Sequence, residues 1–402
     1  MATVAQPKTR KSLDEMYEVD NKIYKRFDSS KEGFVTLTER LSGKPVTGIM
    51  DIAGFIMAHI GPDMMKNVQL STPGKSRIDY AVGFGAVALN YILGSYGDQN
   101  ANTQFLKWSP LFVPEPMSKW RTETDPDKLT PAIKHAAKLY GACLVGVAEL
   151  DARWVYERQV GKRFIFDNVE VPVERNGTLV IPNSVNKAVV MAVEMDKALI
   201  QQCPGAGVSA GTDLGYSKMG IASISLAECI RGLGYNAIPC MNDTALSIPL
   251  AISAGLGQLG RNGMLITTDY GSCIRLCKVL TDMPLNTDKP VDFGLTEFCN
   301  QCLVCAEACP AHAISFSDRK MKGYNENNNP GVKKWYIQAE QCLQAWLDNG
   351  IYCAQCIAVC PYTEGYDSAA IQCMRCEKCL APDCPIQALP MHPKGDSKRR
   401  VP

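Results

Sequence analysis

The chain has 402 residues, of which 46% are hydrophobic and 21% charged, and its formal net charge is +1. This composition is that of a globular protein long enough for two or three packed units. The near-neutral charge predicts no nucleic-acid partner, because such partners require a concentrated basic excess. No run reaches the ~20 apolar residues that span a bilayer. Residues 1–7 are polar and do not form a signal peptide, which fits either a mature exported protein or a cytoplasmic one.

The first part of the chain is broken by prolines, and regular elements become clearer after residue 130. Residues 81–93 are apolar and predict a buried helix. Residues 134–149 predict a helix that runs into a buried strand. A strand is predicted to end at residues 178–181, and residues 187–200 have apolar residues at a helical spacing, which predicts a helix.

Further along, residues 221–233 predict a helix, 235–239 a short buried strand, and 245–256 another helix. Strands that alternate with helices are typical of a layered α/β fold. The middle of the chain is therefore predicted to be an α/β sandwich.

Cysteines are concentrated near the C-terminus, where 12 of the 18 fall between Cys299 and Cys384. Cys299 opens a C-x2-C-x2-C-x3-C-P motif, which directs three thiolates to one cubic iron–sulfur cluster and the fourth to a second cluster. This spacing disfavours a disulfide scaffold, because neighbouring thiols in such a pattern converge on a metal. The first predicted ligand set is Cys299, Cys302, Cys305 and Cys360. The second predicted ligand set is Cys309, Cys342, Cys353 and Cys356.

The segment before these cysteines adds a second pattern. Residues 254–266 read Ala-Gly-Leu-Gly-Gln-Leu-Gly-Arg-Asn-Gly-Met-Leu-Ile, followed by Gly271-Ser272, then by residues 280–285, and then by the first cysteines. This order resembles the cobalamin-dependent reductases that join a corrinoid-binding module to two cubanes. Within them it is most similar to the respiratory reductive dehalogenases, with epoxyqueuosine reductase as a near relative. The resemblance covers roughly residues 130–365.

The resemblance implies a fold and a set of boundaries. The expected fold is a nitroreductase-like corrinoid-binding α/β sandwich (class α/β, or α+β) with an appended unit like a bacterial ferredoxin with two [4Fe-4S] clusters. Residues 1–130 would contribute to the corrinoid and substrate pocket. Residues 131–290 would form the corrinoid-binding core, residues 291–365 the two-cluster unit, and residues 366–402 a cysteine-containing tail.

The same resemblance implies a catalytic trio. In this family a tyrosine donates the proton, assisted by a basic residue and an asparagine, and by order along the chain these are Tyr216, Arg275 and Asn242. Tyrosine is a weak acid whose anion needs nearby positive charge, which a guanidinium supplies. Taken singly, each of the three residues also fits an ordinary packing, ion-pair or turn role.

Glycines are the predicted contacts to the corrinoid. Gly255, Gly257 and Gly260 match the dinucleotide pattern G-x-G-x-x-G, but they follow a predicted helix instead of a strand, which disfavours nicotinamide binding. Glycines that let the backbone approach a bulky corrinoid explain the segment better. Gly211 and Thr212, just before the predicted tyrosine donor, are expected to serve the same purpose, with a plain tight turn as the alternative.

Two aromatic residues, Trp346 and Tyr352, lie between cluster ligands. They either shield a cluster from water or line a small apolar substrate pocket, and the two roles are compatible. The cluster held by the second ligand set is expected to lie nearer the cobalt. Many corrinoid enzymes supply a lower ligand to cobalt from an Asp-x-His-x-x-Gly motif. This sequence does not contain that motif, so the cobalt is predicted to lack a protein ligand, in the base-off state.

The implied reaction replaces a carbon-bound halogen, chlorine on a small chlorinated alkane or alkene, with hydrogen. The implied partners are a small membrane-anchor protein and an external electron donor, with the protein at the outer face of the cytoplasmic membrane; a homodimer is left open. The alternatives are a cytoplasmic enzyme similar to epoxyqueuosine reductase and a two-cluster electron carrier without catalysis.

Four further cysteines lie in the C-terminal tail. They would bind a third cluster, a zinc ion or nothing, and we expect no third cluster. They are Cys373, Cys376, Cys379 and Cys384.

Overall fold

The computed structural model of the protein describes residues 8–70, 72–97, 106–114, 120–121, 123–159 and 161–365. The predicted tail at residues 366–402, with its four cysteines, lies outside the described residues. The domain boundaries at residues 130, 290 and 365 stay predictions.

A four-stranded antiparallel sheet lies at the centre, with strand order β2-β7-β11-β8. Helices pack on one of its faces, and further helices and a second sheet pack on the other. The strands are β2 (Leu144–Glu149), β7 (Lys187–Glu194), β8 (Ala237–Cys240) and β11 (Ile274–Thr281).

Strand β7 corrects the helix predicted for residues 187–200. The segment is a strand up to Glu194, and only Lys197–Ile200 is helical. Residues 188–193 are all fully buried, and alternate side chains enter the two hydrophobic clusters on opposite faces of the sheet. A strand buried on both faces is apolar at every position, so its sequence also satisfies a helical spacing.

Two long helices cover one face of this sheet. Leu129 and Ile133 of the first helix and Met219 and Leu226 of the second pack against β7 and β11. The second helix is much longer than the predicted 221–233 and ends at Gly232, as predicted. The two helices are α5 (Pro126–Leu139) and, after the short α6 (Lys197–Ile200), α7 (Gly207–Gly232).

The opposite face packs against α8 (Ser247–Ser253) and a second four-stranded sheet of order β3-β4-β6-β5. The predicted helix–strand run at residues 134–149, the strand at 178–181, the strand at 235–239 and the helix at 245–256 are thereby confirmed, with shifted ends. The strands of the second sheet are β3 (Arg158–Gln159), β4 (Lys162–Asp167), β5 (Val173–Arg175) and β6 (Thr178–Pro182).

The N-terminal helices pack on both later parts of the chain. The apolar faces of the second and third helices meet Leu343 and Leu347 in the cysteine-rich region. The fourth helix packs on α7 and confirms the helix predicted at residues 81–93, although Val82 and Ile92 are exposed. Among the described residues, no helix combines the length and apolar character that crossing a bilayer requires. These helices are α1 (Leu13–Met16), α2 (Gly33–Ser42), α3 (Ile49–Leu70) and α4 (Arg77–Gly97).

The cysteine-rich region consists of short helices joined by tight turns. Strand β1 (Lys8–Thr9) pairs with β12 (Val291–Asp292) just before it, and the hairpin of β9 (Gln258–Leu259) and β10 (Leu265–Ile266) packs beneath it. The helices are α9 (Leu295–Cys302), α10 (Val304–Glu307), α11 (Ala339–Asn349), α12 (Gln355–Ala358) and α13 (Pro361–Glu364).

Candidate active site

The three predicted catalytic residues come from different elements that meet at one end of the central sheet. Strands β8 and β11 are antiparallel, with Cys240 opposite Lys278. The end of β8, followed by Asn242, therefore lies next to the beginning of β11, which carries Arg275. Helix α7 crosses this end of the sheet and supplies Tyr216.

The trio is in direct contact. The Asn242 Nδ2 atom donates a hydrogen bond to the Tyr216 hydroxyl oxygen at 3.2 Å. The Arg275 guanidinium carbon lies 4.2 Å from the centroid of the Tyr216 ring. The Arg275 Nε atom is buried and has no hydrogen-bond partner among the described residues. A phenol between an amide donor and a guanidinium is suited to releasing a proton, because both neighbours stabilise the phenolate.

A buried lysine, which sequence reasoning missed, supports the loop that carries Asn242. The Lys278 Nζ atom donates to the Met241 carbonyl oxygen at 2.7 Å, and burial lowers the pKa of Lys278. The Asp243 Oδ1 atom accepts from the Met241 backbone N–H at 2.6 Å. Burial raises the pKa of Asp243, and the positive charge of Lys278 opposes that shift. The Tyr156 hydroxyl donates to the Asn242 carbonyl oxygen at 3.3 Å, so the backbone of this loop is fixed on both sides of Asn242.

Asp213 is a second residue that sequence reasoning missed. It precedes Tyr216 by three residues on α7 and therefore lies on the same side of the helix. Burial raises the pKa of Asp213 to about 7, and the charge of Arg275 opposes the shift. Nothing in the sequence around Asp213 marks it as unusual. Its raised pKa becomes evident only once α7 is packed next to Arg275.

The raised pKa of Asp213 predicts a specific pH dependence of stability. Between the ordinary carboxyl pKa and about pH 7, the folded chain keeps a proton that the unfolded chain releases. The free energy of unfolding should therefore fall as the pH rises through this window, by up to ~1.4 kcal/mol per pH unit from this group. We expect Asp213→Asn to remove that component in urea unfolding at pH 5.5 to 8. Equal pH slopes for the two proteins would contradict the assignment.

Gly215 allows Arg275 to approach α7. A Cβ atom at Gly215 would lie 2.9 Å from the Arg275 Cγ atom and 3.2 Å from the Met195 Cγ atom. We expect Gly215→Ala to displace Arg275 from the Tyr216 ring and to lower catalytic turnover by about 10–100-fold. The melting temperature should change little, because alanine is more favourable in a helix than glycine by ~1 kcal/mol, which offsets the cost of moving the Arg275 side chain. The control is Gly85→Ala in α4, where a Cβ atom meets nothing within 4 Å; equal turnover in both variants would refute the role of Gly215.

Three of the glycines predicted to contact the corrinoid lie close to other atoms of the protein. A Cβ atom at Gly255, whose φ is +74°, would lie 2.6 Å from the Lys289 carbonyl oxygen. At Gly257 and Gly260 a Cβ atom would collide with Ile266. These three glycines therefore allow the β9–β10 hairpin to pack tightly, and their contact with a corrinoid stays a prediction.

The other predicted corrinoid contacts lie at the beginning of α7. Gly211 packs against Leu199, whose Cβ atom would lie 3.2 Å from an added Cβ atom, and Thr212 is buried. Both are close along the helix to Tyr216, which is consistent with a shared site. Their contact with the cofactor also stays a prediction.

Trp346 and Tyr352 stack on each other, with ring centroids 5.0 Å apart and an interplanar angle of 30°. Phe34 of α2 packs edge-on against Trp346 at 5.3 Å. The Trp346 Nε1 atom is buried without a hydrogen-bond partner among the described residues. This aromatic group joins α2 and α3 to the cysteine-rich region, and its role as a pocket wall stays a prediction.

The predicted cluster ligands interact electrostatically with one another. The thiol of Cys305 interacts with Cys299, Cys302 and Cys360 of its own set, and with Cys356 of the other. The thiol of Cys356 in turn interacts with the second set and with Cys360. These electrostatic interactions connect thiols of both predicted sets, and the assignment of each cysteine to a set stays a prediction.

Three of the eight predicted ligands are buried and five are partly buried, which matters for their chemistry. Burial raises the pKa of Cys299 to about 12 and that of Cys302 to about 11, and neighbouring thiols add to the shift. Burial and the neighbouring Cys353 likewise raise the pKa of Cys342 to about 12. Such thiols become ligands when a cation replaces the proton.

Within the described residues, no three His, Cys, Asp or Glu side chains converge on a single-ion site. A cubane takes one thiolate at each of its irons, so its ligands stand further apart than those of a single ion. A donor set of eight thiols therefore fits iron–sulfur clusters better than a single ion.

Cys203 is a further thiol that the sequence did not indicate. A hydrogen bond between Cys203 and the predicted ligand Cys353 lowers the pKa of Cys203 and raises that of Cys353. The backbone N–H of Ala354 also donates to the Cys203 sulfur at 3.4 Å. The loop before α7 is thereby connected to the second ligand set.

Comparison with known proteins identifies the family. Residues 298–363 match the sequence model of the 4Fe-4S dicluster domain. The tetrachloroethene reductive dehalogenase of Desulfitobacterium hafniense is 30% identical over 409 aligned positions, which cover 87% of this chain and 73% of that protein. The chain belongs to the reductive dehalogenase family. The enzyme of the same name from Sulfurospirillum multivorans is 37% identical over 295 positions, 67% of this chain and 59% of that protein.

More distant similarities are to a related enzyme and, in fold, to a solved structure. The epoxyqueuosine reductase of Lactococcus garvieae is 30% identical over 135 positions, 32% of this chain and 35% of that protein. The structure of a catabolic reductive dehalogenase in complex with 3-bromo-4-hydroxybenzoic acid superposes with a TM-score of 0.60 at 21% identity, covering 92% of this chain and 46% of that one. The predicted α/β fold with a ferredoxin-like cluster unit is confirmed. The chain spans between about half and three quarters of the length of these dehalogenases.

Proposed function

We propose that this reductive dehalogenase replaces a carbon-bound chlorine with hydrogen on a small chlorinated alkene or alkane. The reaction consumes two electrons and one proton and releases chloride. Relatives at 30–37% identity are named tetrachloroethene reductive dehalogenases, which supports the substrate class. The observation that carries the proposal is the contact of Tyr216 with both Asn242 and Arg275.

In the proposed mechanism Tyr216 donates the proton to the substrate carbon through its hydroxyl group. Asn242 orients that hydroxyl by its hydrogen bond of 3.2 Å. Arg275 remains charged, and over the ring it stabilises the phenolate that forms. The same guanidinium is suited to attracting the departing chloride, since its Nε–H is unpaired within the described protein.

We propose that a corrinoid binds at this site. Asn242 is exposed, Tyr216 is half-buried, and Arg275 carries an unpaired donor, all at one end of the sheet. A bound corrinoid would supply the cobalt that delivers electrons to the carbon–halogen bond. We propose that Gly211 and Thr212 of α7, with the glycines of the β9–β10 hairpin, lie next to it, and that cobalt has no protein ligand.

The electrons are proposed to pass through two [4Fe-4S] clusters held by the two predicted ligand sets. The second set is proposed to lie nearer the corrinoid, because Cys353 contacts Cys203 in the loop before α7. We also propose that the chain lies at the outer face of the cytoplasmic membrane. There it would bind a small membrane-anchor protein and receive electrons from a separate donor.

The proposal is tested by metal analysis and turnover. Anaerobically reconstituted protein should contain about eight irons and about one cobalt per chain. With a low-potential reductant it should convert tetrachloroethene to less chlorinated ethenes, measured by gas chromatography together with chloride release. Iron without cobalt after incubation with a corrinoid, and no chloride release, would reduce the protein to an electron carrier.

A further inference from the structure

Arg261 is a buried cation whose hydrogen bonds reach only neutral partners. It lies between β9 and β10 and is 2% exposed. Its Nε atom donates to the Cys299 carbonyl oxygen at 2.9 Å, and its Nη1 atom donates to the carbonyl oxygens of Ser315 at 2.6 Å and Ser317 at 3.0 Å. The guanidinium carbon lies 4.6 Å from the centroid of the Trp335 ring. In the described structure none of these hydrogen bonds goes to a carboxylate.

A buried charge without a counterion is strongly destabilising, because carbonyl dipoles and an aromatic face replace only part of its hydration. The groups that favour the charged form of Arg261 are, in order, Cys305, Cys299 and Cys302, followed by Asp318, which is exposed. Three of the four thiols in the first predicted ligand set thus interact electrostatically with the guanidinium. The anion that would balance Arg261 is therefore the iron–sulfur cluster itself.

The second ligand set has a different environment. The charge neighbours of Cys342 and Cys356 are other cysteine thiols, and Cys353 interacts with Cys203. No arginine or lysine is among the principal charge neighbours of these three thiols. The first predicted set, in contrast, has the guanidinium of Arg261 at close range, hydrogen-bonded to the Cys299 backbone.

We propose that Arg261 is the fixed countercharge of the first cluster and raises its reduction potential. A cubane with four thiolates carries a net negative charge that grows by one unit when it accepts an electron from a one-electron donor. A permanent cation stabilises the reduced form more than the oxidised form. The Trp335 ring, 3% exposed, covers the guanidinium and keeps water away from it, which strengthens the effect.

The proposal depends on the cluster ligands and requires neither corrinoid nor substrate. It assigns the first cluster the task of capturing an electron that arrives from outside. An absence of dehalogenation would leave it intact, and an unshifted cluster potential would leave the proposed reaction intact.

The test is a redox titration of the iron-loaded chain, followed by electron paramagnetic resonance, for wild type, Arg261→Gln and Arg261→Lys. We expect Arg261→Gln to lower the ratio of reduced to oxidised first cluster at least tenfold at a fixed ambient potential, a shift of about 59 mV for one electron. The second cluster should keep its potential. Arg261→Lys should stay close to wild type, because it retains the charge.

A matched control is Arg319→Gln. Arg319 also lies over the Trp335 ring, at 5.8 Å, but it is not among the principal charge neighbours of Cys299, Cys302 or Cys305. Its removal should leave both potentials unchanged. An unshifted potential in Arg261→Gln, or an equal shift in Arg261→Lys, would overturn the proposal.

A further variant covers the case in which Arg261→Gln does not bind iron. Arg261→Met, which is similar in length and uncharged, then takes its place: the first-cluster potential should fall below that of wild type, whereas Arg261→Lys should stay close to wild type. A first-cluster potential in Arg261→Met equal to that of wild type would overturn the proposal. Loss of iron from all three Arg261 variants would also overturn it, in favour of a purely structural guanidinium.

Discussion

Replacing Tyr216 by phenylalanine should lower the rate of dechlorination by about 10²–10⁴-fold, the usual contribution of a positioned general acid. The ring of Tyr216 packs against the hydrophobic cluster between α7 and the central sheet, and phenylalanine preserves that packing. Only the hydroxyl is lost, together with its hydrogen bond from Asn242. The measurement is single-turnover dechlorination of tetrachloroethene by protein with unchanged iron and cobalt content.

Two further variants separate proton donation from packing. Arg275→Lys retains a charge but not the planar group over the Tyr216 ring. Asn242→Ala removes the donor to the phenol. Each should reduce turnover less than Tyr216→Phe, because each assists the proton donor instead of replacing it. Full turnover in Tyr216→Phe would remove the tyrosine from its proposed role.

Removal of one thiolate from either ligand set should abolish turnover. In Cys305→Ala and in Cys356→Ala, iron content should fall from about eight to about four per chain, because each cysteine belongs to a different cluster. Electrons from the external donor would then not reach the active site. The measurement is iron content with electron paramagnetic resonance of the dithionite-reduced protein, which should show one cluster signal instead of two.

Cys143→Ser is the control for these ligand variants. The Cys143 sulfur donates to the Ala192 carbonyl oxygen at 3.3 Å on the edge of the central sheet, and a serine hydroxyl replaces that bond. It should retain both cluster signals and full turnover. If Cys305→Ala and Cys356→Ala removed the same cluster signal, the division into two ligand sets would be wrong.

The sequence alone indicated the 4Fe-4S dicluster domain and predicted its ligands, because the cysteine spacing follows from the geometry of the cluster. The short strand before Asn242 and the apolar helix after it were also readable from their hydrophobic pattern. Strand β7 was not, since a strand buried on both faces presents the same apolar residues as a helix.

The contacts of the active site depended on the tertiary structure. Tyr216, Asn242 and Arg275 were named by resemblance, but their distances arise because antiparallel β8 and β11 meet under α7. Nothing in the local sequence marks Asp213 or Arg261 as unusual. Their properties come from burial and from charges on distant segments, and both depend on how the chain packs.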